Sequence, residues 1–221
     1  MNGLTRKLLT EFGGTAALVL IVVGSGIMGT NLSDDAGIAL IINALSTVFG
    51  LALLILTLGP ISGAHFNPAV SLVMYATKNL SLKETLAYIP AQIGGAIAGA
   101  LLANLTFDLP VLQFSDNARV TTGTLVAEVI ATAGLLAVIQ VFAARKNANH
   151  VAIAVAAWIG SAYFFTASTS FANPAVTIGR AFTDTFAGIA PASIVPFIAA
   201  QLVGAAVGLV IAKALTSTKA D

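Results

Sequence analysis

Long apolar runs, separated by short polar connections, dominate this 221-residue chain. A helix needs about 20 apolar residues to cross a bilayer. Six runs come close to that length, at roughly 8–28, 38–58, 85–105, 121–142, 151–168 and 192–215. Two further apolar segments, 70–75 and 176–182, are too short to cross. They follow the second and fifth runs, each after a stretch of Gly, Ser, Thr and Ala. Each is introduced by the same tripeptide, Asn67-Pro68-Ala69 in one case and Asn173-Pro174-Ala175 in the other. Asn is a frequent N-cap, and Pro suits the first helical position because its missing N–H would be unpaired there. The pattern therefore predicts two short helices that enter the membrane without crossing it. Non-helical backbone at that depth is tolerated only where it is buried in protein or lines a wet cavity. The segment lengths thus predict a pore, with two half-helix N-termini and their Asn side chains facing one path.

The two halves repeat. Glu11-Phe12-Gly13-Gly14-Thr15 opens the first run, and the fourth carries Glu128-Val129-Ile130-Ala131-Thr132. Gln92-Ile93-Gly94-Gly95-Ala96-Ile97-Ala98-Gly99 in the third matches Gln201-Leu202-Val203-Gly204-Ala205-Ala206-Val207-Gly208 in the sixth. With three spans per half, the second half must be inverted relative to the first. Residues 1–221 read as one domain, with one repeat over about 1–110 and the other over about 118–221. Gly94, Gly95, Gly99, Gly204 and Gly208 read as close helix contacts.

Composition fixes the solvent. Hydrophobic residues make up 57% of the chain and charged residues 9%, against about 25% charged in soluble domains. This is the balance of an integral membrane protein. A net charge of +1 suggests no nucleic-acid partner, and the absence of Cys removes disulfides, thiolate metal sites and thiol nucleophiles. Arg6 and Lys7 before the first run imitate a signal peptide, but no clear cleavage site follows and the same pattern recurs as a full span. Arg6, Lys7, Lys78, Lys83, Arg145, Lys146, Lys213 and Lys219 fall on one side of the membrane. Arg119 falls on the other, with Asp34, Asp35, Asp108 and Asp116. The positive side faces the cytoplasm, so both termini are expected there.

Glu11 and Glu128 lie in apolar runs, where a charge is costly unless satisfied inside the bundle. They read either as a proton relay or as structural acceptors. His65 has no carboxylate or second His beside it, so neither a metal nor another cofactor is expected. No Ser–His or paired-Asp constellation appears at membrane depth, and His150 lies in a connection, so enzymatic activity is not expected.

Ser62-Gly63-Ala64-His65-Phe66-Asn67-Pro68-Ala69-Val70, Phe171-Ala172-Asn173-Pro174-Ala175-Val176 and the paired Glu and Gln elements resemble the aquaporin family, the major intrinsic proteins. The likeness covers nearly the whole chain. It implies an all-α membrane protein, a right-handed bundle of six transmembrane helices and two re-entrant half-helices in an inverted repeat. It implies a homotetramer in membrane lipid, in a bacterial inner membrane, with one pore per subunit. Passive passage of water or small neutral solutes follows. Asn67 and Asn173 would donate N–H groups to permeating oxygens at the midplane while capping their half-helices. Glu11 and Glu128 would accept hydrogen bonds from the loops, and His65 would line the cytoplasmic vestibule.

The sequence departs from the family at one position. Most members carry Arg directly after the second Asn-Pro-Ala, and here Val176 stands there. A wider, more apolar filter is expected to admit glycerol, urea or hydroxylated metalloids, and the resemblance implies a link to arsenic handling through a subset of bacterial members with this Val. Arg180 lies four residues on, about 6 Å further along a helix axis. It reads either as a guard of the outer vestibule or as a snorkelling, loop-anchoring Arg. Ser170 corresponds to the loop position of the filter. For the helix positions, counting without gaps from the two Asn gives Thr47 and Ser161, and alignment on Phe49-Gly50-Leu51 gives Phe49 and Tyr163. Two other functions compete with a solute channel: a strictly water-selective channel and an ion-coupled secondary transporter.

Overall fold

The computed structural model describes residues 3–145 and 148–217. Lys146 and Lys219, used above for orientation, lie outside the described residues. Five helices are long and apolar enough to cross a membrane: α1 (Gly3–Leu32), α2 (Ala36–Ser62), α4 (Leu82–Thr106), α5 (Thr122–Ala144) and α8 (Pro191–Thr216). A sixth apolar helix, α6 (Ala148–Phe165), has 18 residues and reaches about 27 Å at 1.5 Å per residue. Two short helices follow α2 and α6, namely α3 (Pro68–Ala76) and α7 (Pro174–Gly179).

Local chemistry sets the ends. The Asp35 carboxylate accepts from Gly37 N and Ile38 N at the start of α2. Ser81 with Glu84 and Thr121 with Thr124 form reciprocal caps at the starts of α4 and α5. Gly63 stops α2 with φ 92°, a left-handed conformation suited to Gly.

Three sequence expectations about the bounds of the elements need correction. The fifth span ends at Phe165 and not at Ser168, because the chain turns through Thr169 N to Thr166 O and Ser168 Oγ then accepts from Ser170 N. His150 belongs to the first turn of α6, not to a connection. The second half-helix is shorter than its apolar run, and Arg180 sits in a 3-10 turn (Arg180–Phe182) that follows it.

The repeat is visible in the packing. α1 lies against α4, and α5 against α8. A Cβ on Gly95 or Gly99 would come within 2.2 Å of the Phe12 or Ala16 carbonyl oxygen. One on Gly204 or Gly208 would come within 2.5 or 2.4 Å of the Val129 or Ala133 oxygen. These four glycines let backbones touch. Gly94 does not belong with them, since a Cβ there meets only the Phe12 ring at 3.5 Å, an ordinary contact.

Candidate functional site

Each half-helix is delivered by a strained loop. Ala64 and Phe66 have φ 48°, Ser170 and Ala172 have φ 56° and 47°, and Thr169 has φ 61°. Left-handed backbone costs a non-Gly residue about 1–2 kcal/mol, so the loops need compensation. The two buried carboxylates supply it. Glu11 Oε1 accepts from Ser62 Oγ at 2.6 Å and His65 N at 3.0 Å, and its Oε2 from Phe66 N at 2.7 Å and Gln92 Nε2 at 2.8 Å. Glu128 accepts from Phe171 N and Ala172 N, both at 2.9 Å, and from Gln201 Nε2 at 2.7 Å. Each Gln also donates to a hydroxyl on its half-helix, Gln92 to Ser71 and Gln201 to Thr177, both at 2.9 Å. Fixed protein donors reach both oxygens of each acid. This geometry fits loop anchoring better than a proton relay.

Asn67 and Asn173 join the two loops. Asn67 Oδ1 accepts from Ala69 N at 2.9 Å, and Asn173 Oδ1 from Ala175 N at 2.9 Å and Val176 N at 3.2 Å. Asn67 Nδ2 donates to the Ala172 carbonyl at 2.8 Å, and Asn173 Nδ2 to the Phe66 carbonyl at 2.7 Å. An amide nitrogen has two N–H groups. One is taken by the opposite loop, which leaves one on each Asn for a cavity that both residues line.

That cavity has a volume of about 200 Å³ and runs from Met74, Ala143 and Val151 past the two Asn to Tyr163, Ser170 and Arg180. Its walls between are apolar, with Leu18, Val22, Leu51, Leu135, Ile159 and Val176 among them. Thr47 lines it, whereas Phe49 is 70% exposed on the outer face of the bundle. Two residues along a helix turn the side chain by about 200°, so the two cannot share the lumen. Tyr163 lines the cavity and Ser161 is exposed. The pair present is therefore Thr47 with Tyr163, which neither sequence alignment proposed together. α2 has 27 residues and α6 has 18, so no single offset from the Asn reaches both. Thr47 Oγ1 donates to Asn43 O at 2.8 Å, which makes Tyr163 the donor in the 3.1 Å bond between the two hydroxyls.

Val176 and Ser170 line the cavity, and Ser170 Oγ has no hydrogen-bond partner among the described residues. Arg180 is 3% exposed, so it does not reach solvent by snorkelling. Its Nε donates to the Ala187 carbonyl, its guanidinium lies 3.5 Å from the Phe171 ring centroid, and it lines the cavity. It thus both anchors the loop and reaches the path. His65 lines the cavity, pairs with Ser71 Oγ through Nδ1 at 3.0 Å, and sets its ring edge-on to Tyr88 at 5.4 Å. Phe171 takes the matching place in the second half, edge-on to Phe197 at 5.3 Å.

Three contributors escape a sequence reading. Phe171 carries Arg180 on its ring. Arg119 lies against the same ring at 5.4 Å and donates to the Gly188 and Phe186 carbonyls at 2.6 and 2.9 Å. Burial holds Arg119 below its ordinary pKa, and the Glu128 charge opposes that shift. Asn104 donates to the Val111 and Phe182 carbonyls at 3.0 and 2.9 Å and accepts from Thr183 at 2.8 Å, which holds the turn that carries Arg180. Phe171 alone left a signal, its place beside the second Asn-Pro-Ala.

Residues 2–171 match the family model described as Major intrinsic protein. The chain is 47% identical over 206 residues to aquaglyceroporin AqpS of Rhizobium meliloti (strain 1021), across 93% of this chain and 88% of that protein. It is 31% identical over 193 residues to aquaporin NIP3-1 of Arabidopsis thaliana, across 80% of this chain and 58% of that one. The X-ray structure of the aquaglyceroporin from Plasmodium falciparum superposes with a TM-score of 0.73, at 24% identity, over 98% of this chain and 97% of that one. This last likeness is one of fold.

Proposed function

The chain belongs to the major intrinsic protein family and is a multi-pass membrane channel, and from that premise we propose that it passes water, glycerol, urea and arsenic-type metalloid hydroxides passively. One observation carries this reading: the cavity between the two capped half-helices has Val176 where the family's Arg would narrow it. Asn67 and Asn173 offer one free N–H each to a passing oxygen at the midplane. Thr47, Tyr163, Ser170 and Val176 form the filter, with Arg180 in the outer vestibule and His65 in the cytoplasmic one. Both termini face the cytoplasm of a bacterial inner membrane, and four copies assemble around four separate pores.

The burial of Arg180 at one end of the cavity favours a second reading, a narrower path that passes water alone. An ion-coupled transporter is disfavoured because fixed donors occupy Glu11 and Glu128, the only two buried acids among the described residues. Stopped-flow measurement on proteoliposomes separates these readings. Glycerol and urea flux that is independent of ion gradients is expected. Flux of water alone would establish the second reading, and flux that vanishes when gradients collapse would establish the third.

A further inference from the structure

Among the described residues, Arg180 is the only Lys or Arg that lines the cavity. Neither of its amino nitrogens has a hydrogen-bond partner among the described residues. Arg119 adds a second positive charge across the Phe171 ring. Among the described residues the one ion pair is Lys7–Glu84, so neither guanidinium has a carboxylate partner. Glu128 is near enough to be felt by both Arg119 and Arg180, but its oxygens already accept from Phe171 N, Ala172 N and Gln201. Ser170 Oγ, on the same cavity wall and 4% exposed, is also without a partner. A buried cation without a hydrogen-bonded counter-ion is unfavourable, and a buried hydroxyl without a partner is rare enough to need a reason. Arg180 and Ser170 both line a space of about 200 Å³.

We propose that this end of the cavity binds a small planar oxyanion, a carboxylate or nitrate, on the amino groups of Arg180 and the Ser170 hydroxyl. The guanidinium fork matches two oxygens of such an ion. Tyr163 gives its proton to Thr47 and so has no donor left for an anion, whose oxygens gather on the Arg180 side. Beyond Val176 the walls are apolar apart from the two Asn and His65, with no second Lys or Arg among the described residues. The anion therefore stops there and blocks passage instead of crossing.

The test has two arms, and only the flux arm rests on the channel reading. In detergent, thermal unfolding is followed with increasing sodium formate, against gluconate at equal ionic strength as an ion too bulky to enter. The wild type is expected to show a saturable rise in Tm with formate, by preferential binding to the folded state. Arg180→Met should show none, and Ser170→Ala, which removes only a hydroxyl, should need several-fold more formate. In proteoliposomes, formate should slow wild-type glycerol flux several-fold and leave that of Arg180→Met unchanged. No formate-specific rise in the wild type, or an equal rise in Ser170→Ala, overturns the site even if Arg180→Met fails to fold. A rise without slowed flux overturns the block. If the wild type passes no solute at all, the channel reading falls and the stability arm still decides the site.

Discussion

Asn67 and Asn173 each cap a half-helix with their oxygen, bind the opposite loop with one N–H, and face the lumen with the other. Asn173→Ala removes a cap worth ~1 kcal/mol and leaves the buried Phe66 carbonyl unpaired, at about 1–3 kcal/mol. Lower thermal stability and lower flux are expected together. Asn173→Asp keeps a cap oxygen but has no N–H for Phe66 O or for solute, so it should retain more stability than the Ala variant and still lose flux. Thermal unfolding and stopped-flow permeability on both variants check this. Glu128→Gln replaces an anion that accepts two backbone N–H groups with a neutral amide, and a hydrogen bond to a charge is worth about 1.5–3 kcal/mol. A drop in unfolding midpoint of that order is expected. The roles of Asn67 and Asn173 as caps are legible in the sequence because the cap is local. Their bonds across to Ala172 and Phe66 are not, because they join residues from opposite halves of the chain.

At the scale of elements, apolar length finds the spans, and Asn-Pro-Ala finds where α3 and α7 begin. Rotation about a helix axis is harder to read. Thr47 and Phe49 are both plausible by sequence, and only the placement of α2 against α6 turns Thr47 inward. The same limit applies to Gly94 and Gly95, adjacent in sequence yet different in contact. Gly95→Ala or Gly204→Ala would drive a methyl against the Phe12 or Val129 oxygen and push α1 from α4 or α5 from α8. Overpacking of this kind costs about 1–3 kcal/mol. Gly94→Ala should be close to neutral. Detergent-based thermal unfolding of the three variants is the measurement, and similar shifts at Gly94 and Gly95 would contradict the packing described here.

The whole molecule is two inverted halves whose loops carry unlike residues. His65 and Phe171 hold matching places, so the two ends of one cavity differ in chemistry. One end has an imidazole, and the other has a ring that carries two guanidinium groups. The repeat is legible because Glu11 with Glu128 and Gln92 with Gln201 recur in order. The difference between its ends was hidden, since Arg119 comes from the connector between the halves and reaches Phe171 only after folding. A preformed path of this kind predicts passive flux with a low activation energy, read from the temperature dependence of permeability.

The most direct test is the ratio of glycerol to water permeability in Val176→Arg and wild-type proteoliposomes at equal protein content. A guanidinium at the position after Asn173-Pro174-Ala175 narrows the filter and adds charge beside the dehydrated solute. Each 1.36 kcal/mol of added barrier slows passage about tenfold. Glycerol permeability is predicted to fall much more than water permeability, so the ratio drops. An unchanged ratio would contradict the assignment of Val176 to the filter and move selection to Arg180 or Tyr163.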